Sequence, residues 1–258
     1  KNGEIVNLKK LSGYHLKFIA VISMLIDHIA VVFQASLSES IYFVLRAAGR
    51  LSFPLFCFLL VEGFFHTKNK KRYQQRLFIF AVLSELPYDL AFRYLPVDRP
   101  DFLAQLQHPL SVFSAAFQQQ NVLFTLFLGF TAMLLMERKQ PYGQYSIYKN
   151  IDTLILFCCL SEILQTDCGA AGILCIFLFY SSYKERENNT GLTIKESLID
   201  IAPTVLLTYI PPFPVQISAL ADSLLLRLYS GEKGKNHKYF FYLFYPLHLV
   251  VLYLINTK

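Results

Sequence analysis

Lys17 and His28 stand on one apolar stretch, KFIAVISMLIDH, with ten residues between them. In an α-helix that separation is about three turns, roughly 1,100° of rotation. The two side chains then fall within about 20° of one face, about 16 Å apart along the axis. An ionisable group inside an apolar segment of membrane length is costly and usually faces a functional cavity. Histidine titrates nearest neutrality, so His28 is a candidate general base, with Asp27 or another carboxylate to orient its ring.

Further charges sit where lipid would be expected. The stretch IYFVLRAAGRLSFPLFCFLLVEGFF places Arg46 and Arg50 four residues apart, on one helix face. Their planar forks suit phosphate or carboxylate, and they equally suit pairing with Asp27, Glu62 or Asp89 to hold helices together. In RLFIFAVLSELPYDLAF, Glu85 and Asp89 are again four apart, flanking Pro87, which removes a backbone hydrogen bond and predicts a kink. These carboxylates are candidate counter-charges for Arg46 and Arg50. His248 lies in the last apolar stretch, two residues after Pro246, where a helix-to-helix hydrogen bond is the plain expectation. The loop HTKNKKRYQQR, ending at Arg76, is suited to fixing topology, to anionic lipid or to the phosphates of a nucleotide-like donor.

The elements that must position these residues are membrane helices. The chain has 258 residues, 54% hydrophobic and 16% charged, where a soluble domain carries about a quarter charged. The composition predicts an all-α, polytopic transmembrane bundle forming a single domain over 1–258. With about 20 apolar residues per span, about nine spans are expected, near 15–34, 41–64, 76–95, 121–137, 150–166, 169–184, 197–210, 213–229 and 239–256. Pro211, Pro212 and Pro214 separate the seventh and eighth, so one of these is a half-span or re-entrant candidate. With the N-terminus cytoplasmic, 17 of the 24 Lys and Arg residues fall on the inner side and only Arg93, Arg99 and Lys258 on the outer. The long outer connection, 96–120, reads as an interfacial helix or a loop capping a cavity.

The net charge of +6 does not point to nucleic acid, because the basic residues occupy short connections between apolar runs. The five cysteines show neither zinc-site nor disulfide spacing, and the sequon at Asn188 falls on the inner side. No metal is expected. There is no Walker sequence, nucleophile elbow or zinc helix, and Gly-Glu-Lys-Gly-Lys at 231–235 lacks the spacing of a phosphate loop.

The stretches LKFIAVISMLIDHIA, AAGRLSFPLFCFLLVEGFFHTKNKKRYQQRLFIFAVLSELPYDLAF, QNVLFTLFLGF, QTDCGAAG and YSGEKGKNHKYFFYLFYPLHLVVLYLI resemble the TraX family. The likeness covers most of the chain in the same order, and the block from Gly49 to Asp89 is its most specific part. That family is linked to N-terminal acetylation of conjugative pilin. It is similar to wider transmembrane acyltransferases, whose motif is Arg or Lys, ten residues, then His. The resemblance implies a multi-pass protein of the bacterial cytoplasmic (inner) membrane, using acetyl-CoA or another acyl-CoA as donor. It implies His28 as catalytic histidine and Lys17 as its basic partner on the donor-loading side. The residues themselves then offer Lys17, Arg46, Arg50 or Arg76 as candidates to hold the donor phosphates. Glu62, Glu85, Asp89 and His248 form the supporting polar set. Pilin amine, glycan hydroxyl and small-molecule amine all remain open as acceptors. Two alternatives stand beside this: a proton-coupled transporter, and a non-enzymatic assembly factor for a surface appendage.

Overall fold

A computed structural model describes residues 10–92, 119–139, 147–188, 221–235 and 238–256. The regular structure among them is helical: α1 Gly13–Val32, α2 Glu39–Gly49, α3 Ser52–His66, α4 Lys70–Ala91, α5 Val122–Lys139, α6 Ile151–Ile163, α7 Gly169–Asn188, α8 Asp222–Arg227 and α9 Lys238–Asn256. Local chemistry starts these helices where the polar residues fall. Ser12 caps α1 in a reciprocal pair with His15, Ser38 caps α2, and Asn69 accepts from the Arg72 N–H at 2.9 Å to open α4.

The helices close a ring. α1 packs on α3 and α9, α9 on α4, α4 on α5, α5 on α7, and α7 back on α3. α2 lies against α1, and α6 is wedged against α5 and α7. Small residues permit the close contacts. A Cβ on Gly129 of α5 would stand 2.3 Å from Ile176 Cδ1 of α7, so the glycine gives the Ile176 side chain its room in that contact.

The outer surface of the bundle is apolar, unlike that of a water-soluble protein, and several polar side chains lie within the apolar core. Phe78, Val82 and Leu86 of α4, Val44 of α2, and Leu247 and Val251 of α9 all point outward. Ser84, Asp89, Asn121, Thr125, Asp222 and His248 are buried inside. Among the described residues, three helices are long and apolar enough to cross a membrane: Gly13–Val32, Glu39–His66 taken as one, and Tyr239–Asn256. α4, α5 and α7 carry terminal charge runs (KKR, ERK and KERE), and α6 has 13 residues. The expected span at 197–210, the first part of that at 213–229 (213–220) and nearly all of the 96–120 connection lie outside the described residues.

The expected single helix over 41–64 is interrupted at Arg50 and Leu51. Pro54 is the cause: it has no N–H for the Arg50 carbonyl, and its ring crowds that same carbonyl four residues back. Both interrupted residues keep right-handed helical dihedrals, so the chain direction survives while regular bonding lapses. Ser23 of α1 uses the lapse, its hydroxyl donating to Ala48 O at 2.5 Å and Gly49 O at 3.2 Å. Pro87, by contrast, sits within a continuous α4.

Basic side chains gather at one end of the ring. Lys70 pairs with Glu137 and Lys139 with Asp152, each at 2.5 Å, which places the start of α4, the end of α5 and the start of α6 together. The Gly13 N–H donates to Glu232 O at 2.7 Å, and Tyr229 Oη donates to Glu62 at 2.9 Å. These bonds bring the start of α1, the end of α3 and the loop before α9 to that same end.

Candidate active site

The opposite half of the bundle holds a cavity of about 350 Å³. It is built where five segments end or break. Asp27, His28 and Val31 come from the last turns of α1, Arg46, Gly49, Arg50 and Phe53 from the interruption between α2 and α3, and Tyr88 and Phe92 from the end of α4. Gln119 and Val122 open α5, and Asp167 and Cys168 come from the turn between α6 and α7.

Asp27 is the hub of the charged wall. Its Oδ2 accepts from Arg46 Nη1 at 2.6 Å and from Arg50 Nη2 at 2.9 Å, while its Oδ1 accepts from Arg50 Nη2 at 2.7 Å. Of the four carboxylates considered for the arginine pair, Asp27 holds it. Glu62 instead accepts from Tyr229, and Glu85 from Asn121, whose side-chain amide also donates to Ala81 O. Asp89 is buried behind the cavity wall, and the structure gives it no ion pair among the described residues. Asp27 is therefore a counter-ion rather than the group that orients His28.

The sequence step from α1 to α2 is set by one glycine. A Cβ on Gly49 would lie 2.4 Å from Asp27 Cβ and Oδ1. Gly49→Ala keeps an allowed backbone, so its cost is purely steric: α1 and α2 must part and the Asp27 bonds must lengthen. The expected loss is roughly 1–3 kcal/mol, the usual range for overpacking. Thermal unfolding in detergent checks it, and an unshifted melting temperature would contradict the contact.

His28 is held by another group. Its Nδ1 lies 2.7 Å from His248 Nε2 on α9, and Phe92 stands edge-on to its ring at 5.2 Å. Nε2 of His28 has no hydrogen-bond partner among the described residues, and the residue lines the cavity. Arg46 Nη2 and Arg50 Nη1 likewise have no acceptor among them.

The turn carrying Asp167 and Cys168 is tightly braced. Gln120 N donates to Gln165 O at 2.9 Å, Asp167 N donates back to Gln120 O at 2.8 Å, and the Thr125 hydroxyl donates to Asp167 O. Cys168 adopts a left-handed φ of 65°, unusual without glycine, which this bracing sustains. Burial raises the Asp167 carboxyl above its ordinary pKa, with Arg50 opposing that shift.

The expected donor-binding set does not converge on one place. Arg46 and Arg50 sit beside His28, whereas Lys17 is about 16 Å down α1 and Arg76 is about 18 Å down α4 from Tyr88, by helical rise. Neither Lys17 nor Arg76 lines the cavity. Lys17 faces the loop before α9, within electrostatic reach of Lys233, and Arg76 lies over the Tyr73 ring at 5.4 Å. Asp167, Cys168 and Gln119 were not anticipated. They bear no helical spacing relation to His28; Asp167 and Cys168 lie in the QTDCGAAG stretch, whose likeness to the family was the one signal that could have found them. Among the described residues no group of three or more His, Cys, Asp or Glu is placed to hold a metal ion.

An all-helical, membrane-type bundle enclosing a histidine beside a carboxylate-bound arginine pair is the class these features define. Residues 12–256 match the model of the TraX protein family, and the chain belongs to the TraX family. It is also 31% identical over 248 residues to the probable fimbrial assembly protein FimC, serogroup H1, of Dichelobacter nodosus, covering 93% of this chain and 94% of that protein. No solved structure matches.

Proposed function

We propose that the protein is an integral membrane acyltransferase that moves an acyl group, in the first instance acetyl, from acyl-CoA to an amine or hydroxyl. One observation carries this reading: a histidine nitrogen with no hydrogen-bond partner among the described residues shares one cavity with two arginines that keep N–H donors uncommitted among those residues. His28 Nε2 takes the proton from the acceptor as its nitrogen or oxygen attacks the thioester carbonyl. Arg46 and Arg50 stabilise the oxyanion that forms there. The C–S bond then breaks, and the imidazolium returns the proton to the leaving thiolate, so CoA departs as the thiol.

The chain is read as multi-pass in the bacterial inner membrane, with about nine spans and the basic end cytoplasmic. Lys17 and Arg76 then stand at the donor's entry, and the distance from Lys17 to His28 suits a ligand with an anionic head and a long thin arm. The relative's name favours a fimbrial subunit as the acylated partner over a glycan or a small amine. That same name also favours a second reading, a non-enzymatic assembly factor with purely internal charge pairs.

Donor binding separates the two readings. In purified full-length protein, acetyl-CoA is expected to raise the melting temperature and to slow maleimide labelling of cavity-lining Cys168 several-fold. Cys159, exposed on α6, serves as the control whose labelling stays constant. No thermal shift together with unchanged Cys168 labelling would sink the enzymatic reading.

A further inference from the structure

The bonding of the two histidines determines where each proton sits. Phe244 O lies 2.8 Å from His248 Nδ1. A carbonyl oxygen can only accept, so that nitrogen carries the hydrogen. In the neutral ring His248 Nε2 is then a bare lone pair, and His28 Nδ1, 2.7 Å away, must donate to it. His28 is left protonated on Nδ1 and bare on Nε2, the opposite of the form a free imidazole side chain prefers in water.

The ring geometry agrees. The two imidazoles are 16° from parallel with centroids 5.0 Å apart. That spacing matches the nitrogen contact plus one ring radius on each side, so the rings meet edge to edge in nearly one plane, as a linear N–H···N bond requires. His248 is itself clamped: Phe244 lies nearly parallel at 5.1 Å and Tyr245 stands tilted at 5.6 Å. It is 6% exposed and does not line the cavity, so it cannot touch a bound substrate.

We propose that His248 is the positioning residue of this site, holding His28 in the tautomer that presents its Nε2 lone pair to the cavity. The inference rests on the reading of His28 as general base and names the group that makes it one. Asp27 cannot serve, because both its oxygens are committed to Arg46 and Arg50. A neutral partner also suits an apolar setting, since the resting pair adds no charge to it. When His28 Nε2 takes up a proton, its Nδ1 proton can pass to His248 Nε2. The pair then holds one positive charge across two rings, with the Phe244 bond kept throughout.

The test uses the full-length protein in lipid nanodiscs with ¹⁵N-labelled histidine, the His28 signals being identified by their loss in His28→Gln. Wild type is expected to show His28 with Nδ1 protonated and Nε2 bare. His248→Ala is expected to move that proton to Nε2 and to lower kcat roughly 100-fold or more, with the donor KM little changed, as loss of the correct tautomer does elsewhere. His248→Gln keeps a carbonyl acceptor for the Nδ1–H and is expected to restore both the tautomer and a rate within about tenfold of wild type. Wild-type His28 protonated on Nε2 would overturn the proposal whatever the rates. So would full activity in His248→Ala, or two equally slow variants whose His28 tautomer never changed. A wild-type chain with the expected tautomer but no acyl transfer would overturn the acyltransferase reading and leave the positioning by His248 standing.

Discussion

Replacing His28 with alanine is expected to lower acyl transfer from labelled acetyl-CoA by roughly 10²–10⁴-fold, the range a positioned general base supplies. The loss should fall on kcat rather than on donor binding, because the arginines and the rest of the cavity wall remain. The acetyl-CoA thermal shift should therefore survive in the variant. The cavity offers a second readout. Its volume of about 350 Å³, enlarged by the missing ring, has room for a free imidazole. Added imidazole should restore part of the lost rate in His28→Ala and have no effect on the wild type. Transfer at the wild-type rate in the variant would remove His28 from the chemistry, and arginine-assisted attack alone would then have to account for the activity.

The second large effect is expected at Asp27. Its side chain is 14% exposed, and those of Arg46 and Arg50 are 14% and 19% exposed, so water screens the cluster little. Asp27→Ala leaves two guanidinium groups facing one another without a counter-charge. Breaking a buried pair from one side typically costs 3–5 kcal/mol, and a loss of roughly 3 kcal/mol is expected here. Arg46→Met in the same chain removes one of the stranded cations and should recover part of that loss. A double-mutant cycle of thermal unfolding measures the coupling directly. If Asp27→Ala and wild type unfold alike, the arginines are balanced elsewhere and Asp27 is not the hub.

Much of the helical framework was legible from apolar runs and their polar caps. The stretches read at 15–34, 76–95, 121–137, 169–184 and 239–256 each overlap a helix, because a run of Phe, Leu and Ile between caps has few alternatives. The interruption at Arg50 was missed although its signal was present. Pro54 lies four residues on, and a continuous reading of 41–64 passed over it. Within the site, Asp27 and His28 were named from their position in the first apolar run, and the pairing of Asp27 with both arginines was among the options weighed. The Lys17 and His28 relation describes the helix, with His28 lining the cavity and Lys17 three turns away from it. Sharing a face does not put two residues in one cavity when three turns separate them. The link from His28 to His248 spans 220 positions and depends on how α9 lies against α1. No local pattern encodes that packing.

The arginine pair also bears on how the chain is made. A charged residue near the middle of a helix resists entry into a bilayer by roughly 2.5–3.5 kcal/mol on the insertion scale, and the second apolar segment carries two. Its compensating carboxylate is Asp27, which precedes Arg46 by 19 positions and leaves the ribosome first. The short connection from Phe33 to Ser38 lets the two segments fold back on each other at once. On the multi-pass reading proposed above, the translocation machinery would meet a hairpin whose charges are already neutralised, and α1 would serve as an insertion partner for α2 and α3.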